Sequence, residues 1–79
     1  MKAFNEKCDA ALRYLKGHDK VSWSKFTQET EILKVDTILV YLREKMGFID
    51  YADFWVRITG KGKEFISTTS FVEQRRFHY

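Results

Sequence analysis

The chain has no proline, four glycines and a single cysteine among its 79 residues. With so few breakers there is no flexible linker, low-complexity stretch or internal repeat, and residues 1–79 read as one domain. One cysteine, Cys8, excludes an internal disulfide and fits a reducing compartment; on a helix it reads as a small buried hydrophobe. No run approaches the roughly 18 apolar residues of a membrane span, and Met1–Leu15 carries charges where a signal peptide would carry an apolar core. No membrane association and a cytoplasmic location are therefore expected. His18 and His78 lack any HxxxH or CxxC partner, so neither metal nor cofactor is expected. Gly60-Lys61-Gly62-Lys63 lacks the spacing and the following Ser or Thr of a phosphate loop. With no recognisable acid–base pair and little room for a pocket, the chain reads as a non-enzyme.

What is present is aromatic: seven Phe, four Tyr and two Trp, 16% of the chain. A domain of this size buries only about 60–65% of its unfolded surface, so a few large rings must supply the core. There are more rings than it can easily hide, which points to a partner surface. Net charge is +3, unevenly spread. Residues 1–20 carry five basic and three acidic groups, residues 21–50 four and five, and residues 51–79 five and three.

Hydrophobic spacing sets the elements. Phe4, Cys8, Ala11, Leu12 and Leu15 share one helical face, with Glu6, Asp9 and Arg13 on the other, and Gly17 is the expected left-handed cap. Val21-Ser22-Trp23 reads as a short strand, and Ser24 as the N-cap of a helix from Lys25 to about Glu31 that buries Phe26. Val35, Ile38, Leu39, Leu42 and Met46 form the stripe of a third helix, with Asp36 in its first turn and Gly47 at its stop. In the hairpin that follows, Ile49, Val56 and Ile58 face the core, Trp55 and Arg57 point away, and Asp50–Asp53 is read as a four-residue loop. Thr59 caps a further helix carrying Phe65, Ile66, Thr69 and Val72. Ser70 and Glu73 form a capping box, so that helix is expected to break at Ser67–Thr69 and restart.

Gly47-Phe48-Ile49 followed by Val56-Arg57-Ile58-Thr59-Gly60-Lys61-Gly62-Lys63-Glu64-Phe65-Ile66 resembles the wing pattern of winged helix-turn-helix proteins, notably small MarR- and PadR-like regulators. The resemblance spans roughly residues 5–75. It implies an α+β fold: a three-helix core, a β-hairpin wing and a C-terminal helix. It also implies double-stranded DNA as partner, with the third helix in the major groove, and a transcriptional regulator or accessory factor acting as a homodimer. On that reading Lys34, Thr37 and Tyr41 contact base or phosphate, Lys25 and Gln28 hold backbone, and Arg57 and Lys61 add charge. Asp36, Glu44 and the Asp53 wing tip depart from a phosphate-tracking surface. They favour the alternative, a winged helix used for protein–protein contact or dimerisation, with Phe48, Tyr51, Trp55, Phe71 and Phe77 at the interface. Trp55 has three expected fates: cover by the final helix, a partner surface, or base stacking.

Overall fold

A computed structural model describes residues 4–76. Helix α1 (Phe4–Lys16) is followed by β1 (Lys20–Ser22), α2 (Trp23–Thr30) and α3 (Thr37–Val40), which continues as a π-helical turn (Tyr41–Lys45). The hairpin β2 (Ile49–Tyr51) and β3 (Trp55–Ile58) leads into α4 (Gly60–Thr68) and α5 (Phe71–Arg76). Among the described residues the result is an α+β domain of five α-helices and one antiparallel sheet in the order β1-β3-β2. Central β3 pairs Val56 with both Val21 and Tyr51, and Ile58 with Ile49. No described helix is long and apolar enough to cross a membrane.

The apolar spacings pack as expected in most places. Cys8, Ala11, Leu12 and Leu15 of α1 close on Phe26, Ile38, Leu39 and Leu42, and the inward residues Val21, Ile49, Val56 and Ile58 form the floor. Phe48 and Phe71, expected on an interface, lie in this core instead. Phe48 stacks on Phe65 at 4.6 Å, and Phe71 wedges against Phe65 at 4.8 Å and Tyr41 at 6.0 Å. The final helix therefore covers Phe48, while Trp55 points to the opposite face of the sheet.

Several local expectations are corrected. Gly17 is not left-handed; α1 closes through His18, whose Nδ1–H donates to the Tyr14 carbonyl (2.8 Å) while its ring stacks on Tyr14 at 4.1 Å. The cap of α2 is Ser22, not Ser24: its hydroxyl accepts from the Lys25 N–H (3.3 Å), and Trp23, expected in the strand, starts the helix. The third helix starts later than its stripe. Leu33–Asp36 is a turn closed by Asp36 N–H to the Leu33 carbonyl (2.9 Å). Val35 therefore leaves the core and is 85% exposed. Asp36 is the N-cap, accepting from Ile38 N–H (3.1 Å). The hairpin connection is Ala52–Phe54 rather than Asp50–Asp53, closed by Ala52 N–H to the Trp55 carbonyl (3.0 Å).

The hairpin-to-α4 junction is held by a group of short hydrogen bonds. Gly47 turns left-handed (φ 67°), and the Phe48 N–H reaches back to the Leu42 carbonyl (2.8 Å). Thr59 then ties three segments together. Its N–H donates to the Phe48 carbonyl (2.9 Å), its hydroxyl donates to the Gly47 carbonyl (2.8 Å), and that hydroxyl accepts from Gly62 N–H (3.2 Å). Gly62 sits against the Phe48 carbonyl so closely that a Cβ would lie 2.2 Å from it.

Asp9, expected on the solvated face of α1, is 2% exposed. One carboxylate oxygen accepts from Phe71 N–H (2.8 Å) and the other from Val72 N–H (3.2 Å). Ser70 Oγ accepts from Glu73 N–H (3.0 Å), as the Ser-x-x-Glu spacing predicts. The first three N–H groups of α5 are thus all satisfied by side chains, which removes three of the four usual orphans of a helix start.

Candidate interaction faces

Two surfaces stand out. The first joins the α2–α3 turn to the hairpin tip. Lys34 Nζ donates to the Asp53 carbonyl (3.2 Å) and lies 5.5 Å from the Trp23 ring. Trp23 in turn donates its indole N–H to the Ala52 carbonyl (2.7 Å). These bonds hold the turn and the tip beside each other. On either side of the Lys34–Asp53 bond, Leu33, Val35 and Phe54 are 59%, 85% and 83% exposed. Along α3, Thr37, Val40 and Glu44 form an outward row.

The second surface is the outer face of the sheet. Lys20 stands directly opposite Arg57, and Ser22 opposite Trp55. On the other side of β3, Arg57 faces Asp50 (3.9 Å), whose carboxylate also meets Arg43 (3.5 Å). Trp55 is half-buried, with the Lys20 ammonium 4.6 Å and the Arg57 guanidinium 5.6 Å from its ring.

The expected DNA-contacting residues divide among separate places. Lys25 and Gln28 are exposed on α2, and Thr37 is the exposed first residue of α3. Lys34 is held at the hairpin tip. Tyr41 is half-buried, edge-on to Phe4 at 5.2 Å, and so turns inward from the row it was assigned to. Arg57 lies on the outer sheet face, and Lys61 sits on α4 with its ammonium 5.9 Å from the Phe48 ring. Asp36 is paired with Lys7 (3.3 Å), so its charge is offset within the domain.

Of the expected interface residues, Tyr51 shares the inward side of β2 with Ile49, packing edge-on to Trp23 at 5.4 Å beneath Arg43. Trp55 alone faces outward, and Phe77 lies outside the described residues. Sequence reasoning gives no surface role to Lys20, Leu33 or Phe54 and places Val35 in the core stripe of the third helix. A valine inside a turn was the available signal, masked because Val35 also fits the α3 spacing.

Cys8 is fully buried, and burial first, then the Asp9 and Asp36 carboxylates, push its thiol up to about 12. The neutral thiol is the stable form, so its contribution to stability holds below its unfolded value and is lost as pH rises toward 12. A thiol reagent at neutral pH is therefore expected to label Cys8 at the rate of unfolding. Rapid labelling of the native protein, independent of denaturant, would contradict this burial.

No known family matches the chain, and no curated protein or solved structure shows detectable similarity to it.

Proposed function

We propose that the chain is a winged-helix domain that associates with a second copy of itself through the Leu33–Asp36 turn and the hairpin tip. The element order, with β1 added to the far side of β3, supports the winged-helix reading. In that architecture α3 and the hairpin tip are the parts that meet a ligand. The observation carrying the function is the exposure of Leu33, Val35 and Phe54 in that place. Clustered apolar exposure marks a protein contact, whereas a phosphate-tracking tip would present Arg or Lys. The patch holds Lys34 and two carboxylates, Asp53 and Asp36, the latter already paired with Lys7, so a two-fold pairing carries no like-charge excess.

Three side chains cover less than the roughly 800 Å² per partner of a stable interface, so weak association is expected, with a Kd of roughly 10–500 μM. Sedimentation velocity over that range should show the dimer growing with concentration. Phe54→Asp and Val35→Asp should stay monomeric and shift stability by no more than about 0.5 kcal/mol, because both side chains are exposed. A wild-type monomer throughout would refute the reading.

A second reading, a duplex-DNA regulator, gains from the Lys7–Asp36 pair, which offsets the acid nearest the start of α3. Lys25, Gln28, Lys34 and Thr37 would then face the backbone. It competes with self-association for one surface. Duplex binding that falls steeply with salt and weakens in Lys25→Ala and Lys34→Ala would establish it instead.

A further inference from the structure

We infer that the outer face of the sheet is a platform for single-stranded nucleic acid, with Trp55 stacking on a base and Lys20 and Arg57 taking adjacent phosphates. This inference does not depend on the turn-and-tip contact, which it adjoins at Phe54.

The inference starts from an arrangement that packing does not require. Lys20 and Arg57 are direct cross-strand partners, both exposed, and like charges so placed destabilise a strand pair. The only carboxylate in their row, Asp50, is shared between Arg57 and Arg43. Arg43, on the π-helical turn, also meets Glu44 (3.5 Å), so across the three strands two cations, Lys20 and Arg57, share the one carboxylate of Asp50, leaving an electropositive strip that an anion would complete.

The register also fixes how Trp55 is presented. Lys20 lies two residues before Ser22, the partner of Trp55, and Arg57 lies two residues after Trp55. Both cations therefore approach the indole from the same end, which leaves its hairpin-tip side uncovered by either. Two cations grouped at one end of an outward indole suit a nucleotide, whose phosphate and base are joined by a sugar. The bases of a duplex already stack on both faces, whereas a splayed base offers a free π-face to an indole. An acidic peptide would satisfy the cations but offers the indole no ring.

The test is a titration of the full chain with a labelled thymidine oligonucleotide of about twelve nucleotides, read by anisotropy and by indole quenching, at about 50 and 200 mM salt. Saturable binding with quenching is expected. Trp55→Ala should weaken it about tenfold, the loss of one base stack. Arg57→Ala should lower the slope of log affinity against log salt by about 0.7, one single-strand phosphate. Lys20→Glu guards against a folding artefact: it replaces a like-charge pair by an opposite-charge pair. It should hold or raise the melting temperature while weakening binding.

The inference is overturned by no binding at about 100 μM oligonucleotide. It is equally overturned by affinity unchanged in Trp55→Ala and Lys20→Glu. An acidic peptide of equal length binding as tightly, or a duplex binding more tightly than the single strand, would also overturn it.

Discussion

Gly62→Ala is expected to cost roughly 3 kcal/mol of folding stability, the upper end of what overpacking does. Replacing a helical glycine by alanine normally gains up to about 1 kcal/mol, so the sign here is diagnostic. The added methyl would stand 2.2 Å from the Phe48 carbonyl oxygen and 2.8 Å from Ile58 Cγ1. The carbonyl cannot step aside, because it accepts the Thr59 N–H, and Thr59 in turn holds the Gly47 carbonyl and the Gly62 N–H. Relief would have to come from moving α4 off the hairpin, which loosens Phe65 and Ile66 from the core. Gly60→Ala, two residues earlier in the same helix, meets nothing within 4 Å and should be neutral or slightly stabilising. Thermal or urea unfolding of the pair reads both effects. Equal melting temperatures would mean that the helix and hairpin are not pressed together there.

The second large effect is Asp9→Ala, expected to cost about 2–4 kcal/mol, since it strands two backbone donors at about 1–3 kcal/mol each with partial rehydration. Both carboxylate oxygens are engaged and the residue is 2% exposed, so both bonds are lost in a buried setting. Asp9→Asn should recover little, because only one of its two head-group atoms accepts a hydrogen bond. The damage should be local first. Amide exchange at Phe71 and Val72 should accelerate before exchange in the sheet does, as α5 separates from α1. With a total stability of about 5 kcal/mol for so small a domain, either substitution consumes much of it. Uniform loss of protection across α5 and the sheet would indicate that α5 is not a separate cooperative unit.

Short-range signals in the sequence located most elements. The stop at Gly47, the cap at Thr59, the inward alternation of Ile49, Val56 and Ile58, and the restart at Ser70 all follow from residues within a few positions of one another. What escaped were decisions taken by distant partners. Asp9 looks solvated on its own helix, because the N–H groups it serves lie 62 and 63 residues away. Ser22 and Ser24 are equally good caps by chemistry; pairing of Ser22 with Trp55 ends the strand there and decides between them. Tyr51 and Trp55 look like neighbours on one strip until the hairpin register puts them on opposite sides of the sheet.

The candidate surfaces were less legible than the core for the same reason. Lys20 acquires interest only from being opposite Arg57, a pairing across 37 positions that no local pattern announces. Phe54 and Val35 belong to different segments and become one patch only through Lys34 and Asp53. Core positions can be read from periodicity because burial repeats with the element. A binding face assembled from turns has no period.

The most direct test of the self-association reading is a comparison of backbone amide spectra at about 20 μM and 1 mM, a range spanning the expected dissociation constant. Shifts confined to residues 33–36 and 52–54, with Lys25 and Gln28 unchanged, are the expected result. Spectra that superimpose at both concentrations, or shifts that instead run along Lys20, Trp55 and Arg57, would contradict it.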